Sequence, residues 1–180
     1  MPENDPTNEE RRWYIVYTNP RAEKKLSKLF KKYKIENYLP LITEKKKWSD
    51  RIKSVETPCF KSYIFVHIEF WKERVKVLQL PGAHHFVFHK GQPATVEIND
   101  IESLKSILQI RSENVEVREN EALSKGKFVK VVGGILAGRT VEIEKRKNKI
   151  AVFVRFPMMN QVAIVEVKLE DIALEEELRL

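Results

Sequence analysis

Phe60-Lys61-Ser62-Tyr63-Ile64-Phe65-Val66-His67-Ile68 is the most strand-like run of the chain. In a strand, Tyr63, Phe65 and His67 point one way and Ile64, Val66 and Ile68 the other. Both sets are largely apolar, which predicts a central strand covered on both faces. Residues 13–17, aromatic and β-branched, predict a second strand. Asn19 is expected to cap a helix whose first position is Pro20. Ala22, Leu26, Leu29, Phe30 and Tyr33 then fall at helical spacing, with Lys24, Lys25, Lys28, Lys31 and Lys32 covering the rest. Residues 35–42 read as extended and residues 43–54 as a polar insert. Residues 70–80 predict a second helix with Trp71, Val75 and Leu78 inward, and residues 84–88 a further strand. Gly91-Gln92-Pro93 reads as a loop. Asn99 and Glu102 have the spacing of a capping box for a third helix, with Ile101, Leu104, Ile107 and Leu108 inward. The order β-α-β-β-β-α-β-α predicts an α+β domain, an antiparallel sheet with flanking helices.

The tail reads differently. In residues 126–143, Val129 and Val131 alternate as in a half-buried strand, Gly133-Gly134 is a turn signal, and Val141 and Ile143 resume the alternation. Strands at residues 150–156 and 162–167 follow, and residues 172–174 are placed to close a small SH3-like β-barrel over residues 126–174. The recurrent valines favour strands over helices. Charged residues 111–125, with a short strand at Val115 and Val117, read as the linker between a domain over residues 11–110 and the barrel. Residues 1–10 read as a disordered acidic tail and residues 175–180 as a solvated one.

The formal net charge is +7. It is −4 over residues 1–10, +10 over residues 11–61, −2 over residues 62–123 and +3 over residues 124–180. The N-terminal third therefore holds the excess, and an anionic partner is expected there. A single cysteine, Cys59, excludes an internal disulfide and suits a reducing cytosol. It reads as a small buried hydrophobe. No apolar run reaches transmembrane length and the first ten residues are unlike a signal peptide, so a cytoplasmic protein is expected.

No phosphate-cradling loop, zinc-protease helix or serine elbow is present, and a non-enzymatic protein without cofactor or metal is expected. His84-His85 is a poor metal pair on a regular strand, because adjacent side chains there point to opposite faces. The lysines of the first helix are either solvated surface or a phosphate-binding stripe. Lys45-Lys46-Lys47-Trp48 adds charge and an aromatic, the combination that grips nucleic acid by backbone contact and stacking. Tyr17, Phe60, Tyr63 and Phe65 are either core or, if helices cover only one face of the sheet, an aromatic patch for a partner.

The spacing of residues 126–143 resembles the KOW module of NusG-type transcription factors and certain ribosomal proteins, although the glycine usual at the position of Val141 is absent. Trp13-Tyr14-Ile15-Val16-Tyr17-Thr18-Asn19-Pro20-Arg21-Ala22-Glu23, Tyr38-Leu39-Pro40, Trp48-Ser49-Asp50-Arg51 and Tyr63-Ile64-Phe65-Val66 resemble the NusG N-terminal domain. Pro20-Arg21-Ala22-Glu23 and Trp48-Ser49-Asp50-Arg51 favour the specialised RfaH-like paralogues, UpxY-type antiterminators above all. One departure is Phe60-Lys61-Ser62-Tyr63, where the family commonly has Phe-Pro-Gly-Tyr.

The resemblance implies an elongation and antitermination factor that suppresses pausing on specific operons. Tyr17, Phe60, Tyr63 and Phe65 would dock on the clamp helices of RNA polymerase's largest subunit. Arg21, Lys24, Lys25 and Lys28 would face upstream or non-template DNA, with Lys45, Lys46, Lys47 and Trp48 adding to that surface. Ile135 and Leu136 would meet a ribosomal protein or a termination factor. The protein would act as a monomer. A housekeeping NusG-type factor and a ribosome- or RNA-associated KOW protein are the alternatives.

Overall fold

The computed structural model describes residues 10–47, 51–119, 126–134, 136–146, 149–168 and 172–174. In chain order the elements are β1 (Arg12–Thr18), α1 (Glu23–Lys32), β2 (Asn37–Tyr38), β3 (Leu41–Lys47), β4 (Ile52–Pro58), β5 (Tyr63–Ile68), α2 (Phe70–Leu78), β6 (Ala83–Phe86), β7 (Phe88–His89), β8 (Gln92–Pro93), β9 (Thr95–Val96) and α3 (Ile98–Arg111). A 3-10 turn (Ser112–Asn114) then leads to β10 (Val115–Glu119), β11 (Lys127–Gly134), β12 (Thr140–Arg146), β13 (Lys149–Phe156), β14 (Gln161–Lys168) and β15 (Ile172–Leu174), with a second 3-10 turn at Pro157–Met159. The fold mixes sheets with three α-helices. It divides into two compact units: residues up to Leu39 with Phe60–Val96, and Pro40–Cys59 with residues from Glu97 onward.

In the first unit the sheet order is β2-β5-β1-β6, with β9 also paired to β1. β5 lies between two strands, as its two-sided apolar pattern predicts. One sheet face sends Tyr14, Val16, Ile64, Val66 and Ile68 into a core with Leu26 and Phe30 of α1, Phe70 and Val77 of α2, Ile35 and Phe86. Each such side chain removed from water contributes about 1.5–3 kcal/mol. α1 starts later than Asn19 and Pro20 suggest. Ala22 N–H donates to Asn19 O at 3.0 Å, closing a turn, and Arg21 takes φ 64°. That left-handed residue interrupts helical geometry, so Ala22 becomes the N-cap.

α2 faces the opposite way from the sequence expectation. Phe70 and Val77 are buried, while Trp71, Val75 and Leu78 are 50%, 57% and 39% exposed. Both sets fit a helical stripe, and the sheet accepts the one that starts on Phe70, whose ring meets Tyr14 and Phe86. The Arg74 guanidinium lies over Trp71 at 4.7 Å and shields it in part. β7 and β8 form a two-residue hairpin at Lys90 (φ 48°) and Gly91 (φ 78°), the primed-turn geometry that suits strand twist.

In the second unit the expected polar insert is a ribbon: β3 and β4 pair from Leu41↔Pro58 to Lys47↔Ile52. At its end Cys59 is buried, and its backbone N–H donates to Pro40 O at 2.8 Å. Burial pushes the Cys59 thiol up to about 12. The tail strands form an antiparallel sheet in the order β10-β14-β13-β12-β11-β15. Val115 and Val117, read as a strand within the linker, pair with Val165 and Ala163 of β14.

α3 groups with this unit. The capping box does not form. Asn99 lies inside α3 and its Nδ2 donates to Thr140 O at 2.9 Å, and Glu102 meets Lys105 at 2.8 Å and Arg139 at 3.6 Å. Side chains that cap in isolation are used here for tertiary contact. Ile101, Leu104 and Ile107 are buried. Glu142, 4% exposed, accepts from Arg155 Nε at 2.7 Å, from a second Arg155 nitrogen at 2.9 Å, and from Gly126 N–H.

Candidate functional site

The sheet face opposite the first unit's core carries three directly opposed pairs: Trp13↔His67, Ile15↔Phe65 and Tyr17↔Tyr63. Trp13 stacks on His67 at 5.0 Å, Tyr38 stacks on Phe65 at 6.4 Å, and Phe60 meets Phe65 edge-on at 6.2 Å. Tyr17 and Tyr63 lie 5.3 Å apart at 74°. The four aromatics singled out for docking thus fall into two ring pairs, Tyr17 with Tyr63 and Phe60 with Phe65, with unequal exposure. Phe60 and Phe65 are 1% and 0% exposed, while Tyr17 and Tyr63 are half-buried. Of the four, only the tyrosines reach the surface; the phenylalanines are buried. Burial, and then Tyr17, raise the pKa of the Tyr63 phenol. It therefore stays a neutral hydrogen-bond donor on an apolar base.

The turn before β5 sets the position of Tyr63. Ser62 takes φ 64°, the conformation glycine favours. The missing Pro-Gly therefore does not abolish the bend; Ser62 adopts it under strain. Two elements hold it. Thr18 N–H donates to Ser62 O at 2.8 Å, and Ser62 N–H donates to Glu23 Oε1 at 2.7 Å. Glu23 is 5% exposed, so this contact satisfies a buried carboxylate and joins α1 to the tyrosine strand. Sequence reasoning quoted Glu23 without a role. The signal was a carboxylate at the helix start, next to an apolar stripe.

The basic residues fall into two groups. Arg21 is exposed just before α1, and Lys24, Lys25 and Lys28 are exposed on it, with Lys28 one turn beyond Lys24 and Lys25. Lys45, Lys46 and Lys47 are exposed on β3 of the second unit. Trp48 lies outside the described residues. Lys46 faces Lys53 across the ribbon and meets Glu44 at 3.7 Å. Like charges directly opposite on two strands repel, which costs stability unless an anion lies between them. Ile135 also lies outside the described residues. Leu136 is 0% exposed, so its side chain is core and does not present itself to a partner.

His84 and His85 do not point to opposite faces. The β1–β6 register passes from Tyr17↔His85 to Thr18↔Ala83, leaving His84 as the extra residue of a bulge. The two Nδ1 atoms lie 2.7 Å apart, and the Tyr17 ring stacks on His85 at 5.1 Å. Among the described residues no group of three or more His, Cys, Asp or Glu could hold a metal, and no helix is long and apolar enough to cross a membrane.

No curated protein matches the chain. It is similar to Thermotoga maritima NusG, in a structure reporting that protein's domain interaction: 20% identity, 93% of this chain and 98% of that one covered, TM-score 0.49. It is also similar to a chain of the MjSpt4:Spt5 complex in its conformation A: 16% identity, 91% of this chain and 97% of that one, TM-score 0.31. The family model NusG, described as transcription termination factor nusG, matches residues 11–105, just over half of the sequence. The chain therefore belongs to the NusG family of transcription factors.

Proposed function

We propose that this protein is a cytoplasmic, monomeric elongation factor of the specialised antiterminator kind, docking on the clamp helices of RNA polymerase's largest subunit. The observation that carries the reading is the half-buried Tyr17–Tyr63 pair, set on the strand that follows the Glu23-held turn. Such paired aromatics, apolar in body and polar at the tip, are typical interface anchors. The Arg21, Lys24, Lys25 and Lys28 face supplies phosphate contact to upstream or non-template DNA, and Lys45, Lys46 and Lys47 extend the basic surface. We read the six-stranded sheet as a KOW-type barrel that recruits a ribosomal protein or a termination factor. Pull-down of polymerase tests the docking. Tyr63→Ala should weaken it by about 1–3 kcal/mol. Wild-type capture by a folded Tyr63→Ala protein refutes the assignment.

A second reading is favoured by the description of the matching family, a termination factor. Transcription through a terminator in vitro separates the two. Increased readthrough supports the antiterminator, and earlier release supports the housekeeping role.

A further inference from the structure

A cleft of about 340 Å³ lies within the second unit, between the first turns of α3 and strands β11 to β13. Small-ligand sites begin at about this size. Asp100 and Ser103 line it from α3, Phe128 from β11, Glu142 from β12, and Phe153 and Arg155 from β13. The strand register builds its floor. Phe128 opposes Glu142 and Glu142 opposes Phe153, so these three side chains stand in a row on one face of the sheet. Three of the lining groups satisfy one another. Two Arg155 nitrogens donate to the two Glu142 oxygens, and the Arg155 guanidinium lies over the Phe153 ring at 5.3 Å.

The other three have no such partners. Ser103 is 1% exposed, and its hydroxyl has no hydrogen-bond partner among the described residues. Ser106, on the same helix, donates its own to Glu102 O at 3.0 Å, as helical serines commonly do. No hydrogen bond or ion pair reaches the half-buried Asp100 carboxyl among the described residues. Burial, and then Glu97, raise it to about 6, so at neutral pH it is ionised and uncompensated. The exposed Phe128 ring meets neither a ring nor a cation among those residues.

We propose that this cleft binds a guanidinium group carried on an aliphatic stem. The unpartnered carboxylate and ring are the parts that hold Arg155 beside them, and the Ser103 oxygen is a further acceptor. A guanidinium spreads its N–H donors in one plane, so a single group can serve a carboxylate and a hydroxyl and still lay its face on a ring. A neutral apolar guest would leave the buried hydroxyl and the carboxylate unpaired. The start of a helix ordinarily favours an anion, but Asp100 occupies the first turn of α3 and Glu97 adjoins it, so a further negative charge is repelled. The site does not rest on the polymerase reading. A free guanidino compound and an arginine side chain of another protein share this chemistry, and the test separates them.

Titration of the full-length protein with n-butylguanidinium at physiological salt, followed by backbone amide NMR shifts, tests the site. Butylurea, its neutral planar counterpart, and acetyl-arginine amide are the further probes. Butylguanidinium should shift Asp100, Ser103 and Phe128 to saturation, and butylurea should leave them in place. Tighter binding of acetyl-arginine amide than of butylguanidinium identifies a protein side chain as the occupant, and the reverse order a free compound. Asp100→Asn should weaken binding roughly 10- to 100-fold, the cost of a hydrogen bond to a charged group. Phe128→Ala should weaken it about 2- to 5-fold, as loss of an exposed cation–π contact does. Glu166→Gln, on β14 outside the cleft, should bind as wild type does. Phe128 is exposed and Asp100→Asn removes a costly charge, so both variants keep the fold, which circular dichroism checks. Wild-type affinity in Asp100→Asn or Phe128→Ala overturns the proposal, as does equal binding of butylurea or a wild-type protein that binds neither cation.

Discussion

Ser62 stands where glycine would be at ease, so Ser62→Gly should make the protein more stable. The residue takes φ 64°, and a left-handed backbone costs an L-residue about 1–2 kcal/mol. Glycine removes that strain but loses about 0.5–1 kcal/mol more conformational freedom on folding. The difference spans about 0–1.5 kcal/mol, a net gain of about 0.5–1 kcal/mol around its centre. Nothing offsets it at the side chain, since the Ser62 hydroxyl has no hydrogen-bond partner among the described residues. The two bonds that hold the turn use the backbone and survive the change. For a chain of this size the gain corresponds to a rise in Tm of about 1–4 °C. Lys61 is the control: it is exposed and absent from the positive-φ residues, so Lys61→Gly should lower stability by about 0.5–1 kcal/mol. Urea melts of the three proteins, with unchanged m, give the comparison. If both glycines destabilise alike, Ser62 is not strained and the account of the turn is wrong.

Burial, and then Glu97, raise Asp100 from its ordinary 3.8 to about 6. The folded state thus favours the neutral acid: this group's contribution is complete below about pH 4 and is lost as pH rises through 6. The gap corresponds to at most about 3 kcal/mol, which solvent access reduces to roughly 1–2 kcal/mol. Asp100→Asn should therefore stabilise at pH 8 and be neutral near pH 3.5; equal gains at both, in thermal melts, contradict the burial argument. Arg155→Met removes the countercharge of the buried Glu142 carboxylate and should cost about 3–5 kcal/mol, and adding Glu142→Leu should recover much of it; an additive double mutant in urea melts refutes the pairing. Replacing Lys24, Lys25 and Lys28 by Gln should flatten the salt dependence of DNA binding by about 0.7–0.9 in slope per lysine that touches phosphate. An unchanged slope leaves α1 a solvated helix.

Period and composition revealed what depends on them. Two-sided β5, the α1 stripe of Leu26 and Phe30, and the valine-rich tail strands fold where alternation puts them. The misses share another cause. In α2, Phe70/Val77 and Trp71/Val75/Leu78 are equally periodic, and only the neighbouring Tyr14 and Phe86 choose between them. Asn99 and Glu102 have capping spacing, but Thr140 and Arg139, far along the chain, compete for them. The approach of His84 to His85 depends on a one-residue slip between two strands, which local pattern does not encode. At the candidate site the aromatic types were legible, and their division into two surface tyrosines and two buried phenylalanines was not. That division follows from where the Ser62 turn releases the chain into β5.

The chain's one thiol is a built-in clock for local opening. Thiolate, not thiol, reacts with alkylating reagents, and Cys59 is both enclosed and pushed up to about 12. In the closed state it is shielded from labelling, so each modified molecule records an excursion in which the surroundings of Cys59 have opened. With only one sulfhydryl in the sequence, the labelling rate against that of a free thiol gives the free energy of that excursion directly. The base of the β3–β4 ribbon can be timed this way without a mutation, a probe or a second cysteine to confuse the count.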